Sequence, residues 1–144
     1  MKADAKTEAE VMVVVNRMFE AFSNRDPDSL PVLFVPDPDM VFLGTGADEK
    51  GIGIEELRAE WERAFAQSEA ATVEIQWHSV SAAGKVAWVT LDANVGAETG
   101  GREISFPVRG TVVLEQRGDK WLIAQSHMSA PAAAQKEGQS WPSE

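Results

Sequence analysis

The chain has 144 residues, 44% of them hydrophobic and 25% charged, the balance of one globular domain. Its 13 Lys and Arg against 23 Asp and Glu give a net charge of −10, the wrong sign for a surface that tracks nucleic-acid phosphates. Cys and Tyr are absent, which excludes thiolate catalysis, Cys-held zinc or iron–sulfur clusters and a phenolic acid.

The opening stretch MKADAKTEAE is too polar for a signal-peptide core, and the apolar run Val11–Val15 is too short to span a bilayer. A cytoplasmic protein without membrane contact is the expectation. Residues 8–24 then read as a helix. Val11, Val14, Val15, Met18, Phe19 and Phe22 form one stripe at helical spacing, with Thr7 as N-cap and Glu10 completing a capping box. Asp26-Pro27 opens a second, short helix that reaches Phe34. After the breaker run Val35-Pro36-Asp37-Pro38-Asp39, residues 40–43 read as a short strand. Gly44 to Gly53 reads as a glycine-punctuated loop that fits no phosphate-binding motif.

Residues 54–68 form the next helix, with Ile54, Leu57, Trp61, Ala64 and Phe65 as its stripe. From residue 71 the period changes to two, and four strands follow at 71–83, 86–95, 102–116 and 121–129. A bulge is expected near Pro107 or Gly110. Residues 132–144 read as a loose tail behind a single domain at 1–131, with Trp141 able to dock. Helices first and an antiparallel meander after them define an α+β fold.

This order, with Val41-Phe42-Leu43-Gly44-Thr45-Gly46 before the second long helix, Gly118-Asp119-Lys120-Trp121 at a hairpin and His127-Met128-Ser129-Ala130-Pro131 at the end, resembles the nuclear transport factor 2-like superfamily. Its SnoaL-like members and the association domain of calcium/calmodulin-dependent kinase II are nearest in pattern. The resemblance implies a curved antiparallel sheet wrapped on N-terminal helices into a cone, with a ligand pocket inside. It also implies where an isomerase would keep its chemistry: a carboxylate just after the first short strand, then a Tyr and a protonated Asp as oxyanion hole. Here Leu43-Gly44 carries no acid, Gly110–Val113 carries none and Tyr is absent, which argues against ketosteroid isomerase chemistry.

Matched to the family, the pocket set is Leu57, Trp61 and Phe65 from the helix with Trp88, Thr90, Gly110, Val112, Leu114, Ser126 and Met128 from the strands. The opposite face then carries Ala87, Val89, Leu91, Arg109, Val113, Trp121, Ile123 and His127 as a homodimer interface. One bulge would exchange the two sets. His127 and Asp92 are the weak catalytic candidates, read more simply as an interface histidine and a solvated strand residue. Arg109 is a second-tier residue able to hold a carboxylate, or else to pair with Glu103 or Glu115. The acids at 48–49 and 55–62 lack the spacing of a calcium loop, the helical Glu residues read as the solvated face of an amphipathic helix, and no metal and no cofactor are expected. Two functions follow. One is binding of a small apolar or carboxylate-bearing molecule, with cofactor-free isomerisation, cyclisation or dehydration as its chemistry. The other is an association domain with a filled cone.

Overall fold

In the computed structural model, which describes residues 1–143, the first helix α1 runs Ala5–Ser23. It begins earlier than its apolar stripe implies because Asp4, rather than Thr7, is the cap: the Asp4 carboxylate accepts the Thr7 backbone N–H at 2.8 Å. A 3-10 turn at Pro27–Ser29 leads into the single-turn helix α2, Leu30–Leu33. Two short strands follow, β1 at Val41–Leu43 and β2 at Lys50–Ile52, and then helix α3 at Ile54–Ala66. The long strands are β3 (Ala70–Ala83), β4 (Val86–Thr99), β5 (Arg102–Arg117) and β6 (Lys120–Ser129).

The six strands form one sheet in the order β2-β1-β6-β5-β4-β3. It is a mixed sheet, whereas the strand pattern implies an antiparallel one: β1 runs parallel to β6, and every other neighbour is antiparallel. The stretch read as a Gly44–Gly53 loop contains β2, which pairs back on β1. Gly51 allows this approach, because a Cβ there would collide with the Phe42 ring.

The bulges fall at Gln76 and Ala124, away from Pro107 and Gly110, across which β4 and β5 pair without a break. The one at Ala124 matters most. It places Trp121 and Ile123 on the same side of the sheet as Ser126 and Met128, so strict alternation along β6 fails there. The inner face is thus Val80 of β3, Ala87, Val89, Leu91 and Ala93 of β4, Val108, Val112 and Leu114 of β5, and Trp121 and Ile123 of β6. All are buried with Val11, Val15 and Met18 of α1. On β4 this inner row is small or aliphatic, which lets the helix layer approach closely, while its larger neighbour Trp88 points outward.

Two arginines tie the layers together. Arg25 follows α1 in a left-handed conformation (φ 57°) and donates to the backbone carbonyls of Phe65 and Ser68 at the end of α3. It also stacks 5.1 Å from the centre of the Phe65 ring. Arg117, at the end of β5, grips both carboxylate oxygens of Asp37 at 2.7 and 2.6 Å and one of Glu115 at 2.9 Å. Beyond Ser129 the chain passes through turns, and Trp141 is 81% exposed rather than docked. Glu144, the last residue of the expected tail, lies outside the described residues.

Candidate functional site

One end of the space between helices and sheet is closed by packed side chains; the other holds a cavity of about 260 Å³. Its walls come from every layer. Met18, Phe19 and Phe22 of α1, Leu57 and Trp61 of α3, Val95 of β4, Phe106 and Val108 of β5, and Ser126 and Met128 of β6 all line it. Phe22, Trp61 and Phe65 form an aromatic triad with ring centres 5.3 to 6.0 Å apart, which holds the Trp61 ring in place. Met128 reaches the cavity across Gly110, its register partner, where a Cβ would strike the Met128 sulfur.

Polar groups are few. Ser126 is buried at 8% exposure and lines the wall, yet no described hydrogen bond involves its hydroxyl. No side-chain nitrogen or oxygen among the described residues is sealed off without a partner, so this hydroxyl keeps its access to the cavity. Thr45, Glu49 and Glu60 stand at the mouth.

Glu49 answers the missing acid after β1. Its carboxylate fills the space that a side chain on Gly44 would occupy, and a Cβ on Gly46 would lie 2.9 Å from its Oε1. A carboxylate thus sits just beyond β1, delivered from the β2 side of the turn, where residue-by-residue matching finds only Gly44. Among the described residues no side-chain hydrogen bond holds it; the Arg63 guanidinium is 3.8 Å away. Arg63 itself is occupied. It donates to both oxygens of Asp48 at 2.9 and 3.3 Å and to Glu60 at 2.7 Å. The hydrogen bond from Arg63 holds the Asp48 carboxyl below its ordinary range, and Arg63 is raised in turn. Glu60, read as part of a solvated helix face, is therefore part of the mouth. Neither Glu49 nor Glu60 stands out in the sequence, because a glycine-rich turn and a helix flank look alike with or without a cavity beneath them.

Of the site residues expected from sequence, Leu57, Trp61, Ser126 and Met128 come together around this cavity. Phe65 supports Trp61 from behind without lining the wall. Val112 is fully buried in the packed inner face. Trp88 and Thr90 lie on the outer face, opposite Val113 and Thr111, because β4 presents its other parity to the helices. The expected interface set is corrected by the same shift: Ala87, Val89, Leu91, Trp121 and Ile123 face the helices, and Arg109, Val113 and His127 face outward. Asp92, Arg109 and His127 are exposed outside the cone, so none can touch a molecule in the cavity. Arg109 pairs with neither Glu103 nor Glu115; Glu115 is taken by Arg117. His78 lies in the groove between α1 and β3, with Nε2 3.4 Å from Glu8. The described residues contain no cluster of three or more His, Asp or Glu placed to hold a metal, and no described helix is long and apolar enough to cross a membrane.

The chain belongs to the SnoaL-like domain family, whose model matches residues 11–133. No curated protein matches it in sequence. Among solved structures it is similar to a nuclear transport factor 2-like superfamily protein from Salmonella enterica, with a TM-score of 0.83 at 18% identity over 96% of this chain and 100% of that one. It is also similar to a candidate dehydratase of the same fold family from Streptomyces avermitilis (TM-score 0.81, 21% identity, 91% of this chain and 100% of that one). A third is a candidate calcium/calmodulin-dependent kinase II association domain from Xanthomonas campestris (TM-score 0.74, 24% identity, 86% of this chain and 87% of that one). At such identities the likeness is one of fold.

Proposed function

We propose that the protein binds a small ring-containing apolar molecule in the inner cavity and carries out cofactor-free proton transfer on it, with Glu49 as the base. The observation that carries this reading is a carboxylate without a hydrogen-bonded partner at the mouth of an apolar cavity. A base needs a free lone pair within reach of the substrate, and Glu49 is the carboxylate that offers one. The step takes a proton from a C–H next to an electron-withdrawing group. Returning it to another carbon of the same molecule is an isomerisation; delivering it to a departing hydroxyl, which leaves as water, is a dehydration. In this reading the Ser126 hydroxyl, which lines the cavity, donates to a substrate oxygen.

The test is proton NMR in deuterated water with a panel of two-ring ketones and β-hydroxy ketones. The reading expects protein-dependent exchange or turnover with at least one member, reduced about 10²–10⁴-fold by Glu49→Gln. Unchanged activity in that variant removes Glu49 as the base, and neither binding nor exchange across the panel removes the function.

The reading includes a homodimer through the outer sheet face. Asp92 and Arg109 are register partners there, and neither forms an ion pair with any described residue. Two copies related by a two-fold axis can offer each arginine the other copy's aspartate, while Trp77, Trp88 and Val113 bury apolar area. Sedimentation velocity checks this: a dimer is expected, and a monomer at tens of micromolar contradicts it.

A further inference from the structure

We infer that the cavity selects an apolar ligand of about two fused rings that carries a protonated amine at its mouth end, and that it rejects the corresponding carboxylate. This rests on the cavity being the binding site, as proposed above. The size follows from the volume. A cavity of about 150 Å³ holds one benzene ring, and this one is about 260 Å³.

The charge preference follows from the mouth. Glu49 and Glu60 are the charged groups that line the cavity. Arg63 is the cation beside them, and it faces three carboxylates: Asp48 at 2.9 Å, Glu60 at 2.7 Å and Glu49 at 3.8 Å. One positive charge against three negative ones leaves the mouth acidic, on a chain whose net charge is already −10. Arg63 is spent on these contacts, and Arg109, the cation that sequence offered for a ligand carboxylate, lies outside the cone. An entering anion would meet Glu49 and Glu60, and no Lys or Arg is among the described residues that line the cavity. An ammonium group can pair with one oxygen of the Glu49 carboxylate, which has no described hydrogen-bonded partner, and leave the other for the proton transfer proposed above. On the cavity wall, the 8%-exposed Ser126 hydroxyl has no described protein partner and faces the ligand space, an independent sign of a polar group left for a ligand.

Three isosteric probes separate the possibilities: 1-naphthylmethylamine, 1-naphthylmethanol and 1-naphthoate, titrated calorimetrically into the full chain near neutral pH. The alcohol reports on the cavity alone. The amine should bind at least about tenfold more tightly than the alcohol, and the alcohol more tightly than the naphthoate. The alcohol should displace the amine one for one. In the double variant Glu49→Gln with Glu60→Gln the preference for amine over alcohol should collapse, with an unchanged circular dichroism spectrum showing that the variant is folded. Naphthoate binding as well as the amine, or a preference that survives in the double variant, overturns the inference and leaves the cavity reading standing. Amine binding that the alcohol cannot displace is adsorption to the acidic surface and also overturns it. Failure of both alcohol and amine to bind removes the cavity reading and this inference together.

Discussion

The two faces of the sheet are made from the same strands and differ in almost every physical respect. Inside, Val89, Leu91, Val112, Leu114 and Ile123 are entirely buried and closely packed against α1, and the packing stops at the cavity. Outside, one residue along each strand, Trp88, Thr90, Asp92, Arg109, Thr111 and His127 mix apolar, polar and charged groups at partial or full exposure. The largest and most reactive side chains of β4, Trp88 and Asp92, are thus on the outside. Chemistry-bearing residues on a strand do not mark the face that does chemistry. On β4 the helix layer takes the row whose side chains are small enough to pack, and the cavity forms where that packing runs out.

The largest expected effect separates neighbours in sequence. Leu91→Ala should cost about 2–5 kcal/mol of stability, because it empties fully buried volume, whereas Thr90→Ala should change it by no more than about 0.5 kcal/mol. Urea titrations of both variants at low protein concentration measure the difference. Equal costs would mean that the faces are misassigned.

Next in size is the exchange of roles between two tryptophans. Trp88→Glu should weaken the homodimer at least about thirtyfold, the scale of an interface hot spot, and leave 1-naphthylmethanol affinity unchanged. Trp61→Ala should do the reverse, weakening the naphthyl probe about tenfold or more while the dimer persists. Sedimentation and calorimetry on the same preparations read both effects, and loss of ligand binding in the Trp88 variant would invert the account.

A smaller effect is the acid limb of stability. Hydrogen bonds from Thr7, Arg117 and Arg63 hold the carboxyls of Asp4, Asp37 and Asp48, respectively, below the ordinary value of 3.8. Each stabilises the fold fully above that pH, and the contribution is lost as pH falls through the lowered folded value. Melting temperature should therefore drop as pH falls below about 4, and Asp37→Asn with Asp48→Asn should flatten that drop. A limb of unchanged steepness would mean that these pairs do not matter. The smallest effect belongs to His127→Ala, which should leave naphthylmethanol binding unaltered because His127 faces out. Lost binding there would restore His127 as a ligand contact.

Much of this architecture was legible in the sequence. The stripe at Val11, Val15 and Met18 and the one at Leu57 and Trp61 marked two helices, and the change of period at residue 71 marked the meander. What periodicity could not supply was parity. On β4 both rows contain apolar residues, so alternation alone did not say which one the helices take. On β6 the extra residue Ala124 makes Trp121 and Ser126 share a face despite odd spacing. Leu57, Trp61, Ser126 and Met128 could be chosen for the cavity, whereas Glu49 and Glu60 could not. Their position depends on a turn that lays one carboxylate over Gly44, a contact between backbone and side chain that leaves no periodic trace.

The central claim is that the inner face holds the ligand and the outer face does not. A crystal structure of the protein grown with 1-naphthylmethanol tests it directly. The account predicts the two rings between Trp61, Phe106 and Met128. An empty inner cavity with the naphthyl group lodged against Trp77 or Trp88 would contradict it.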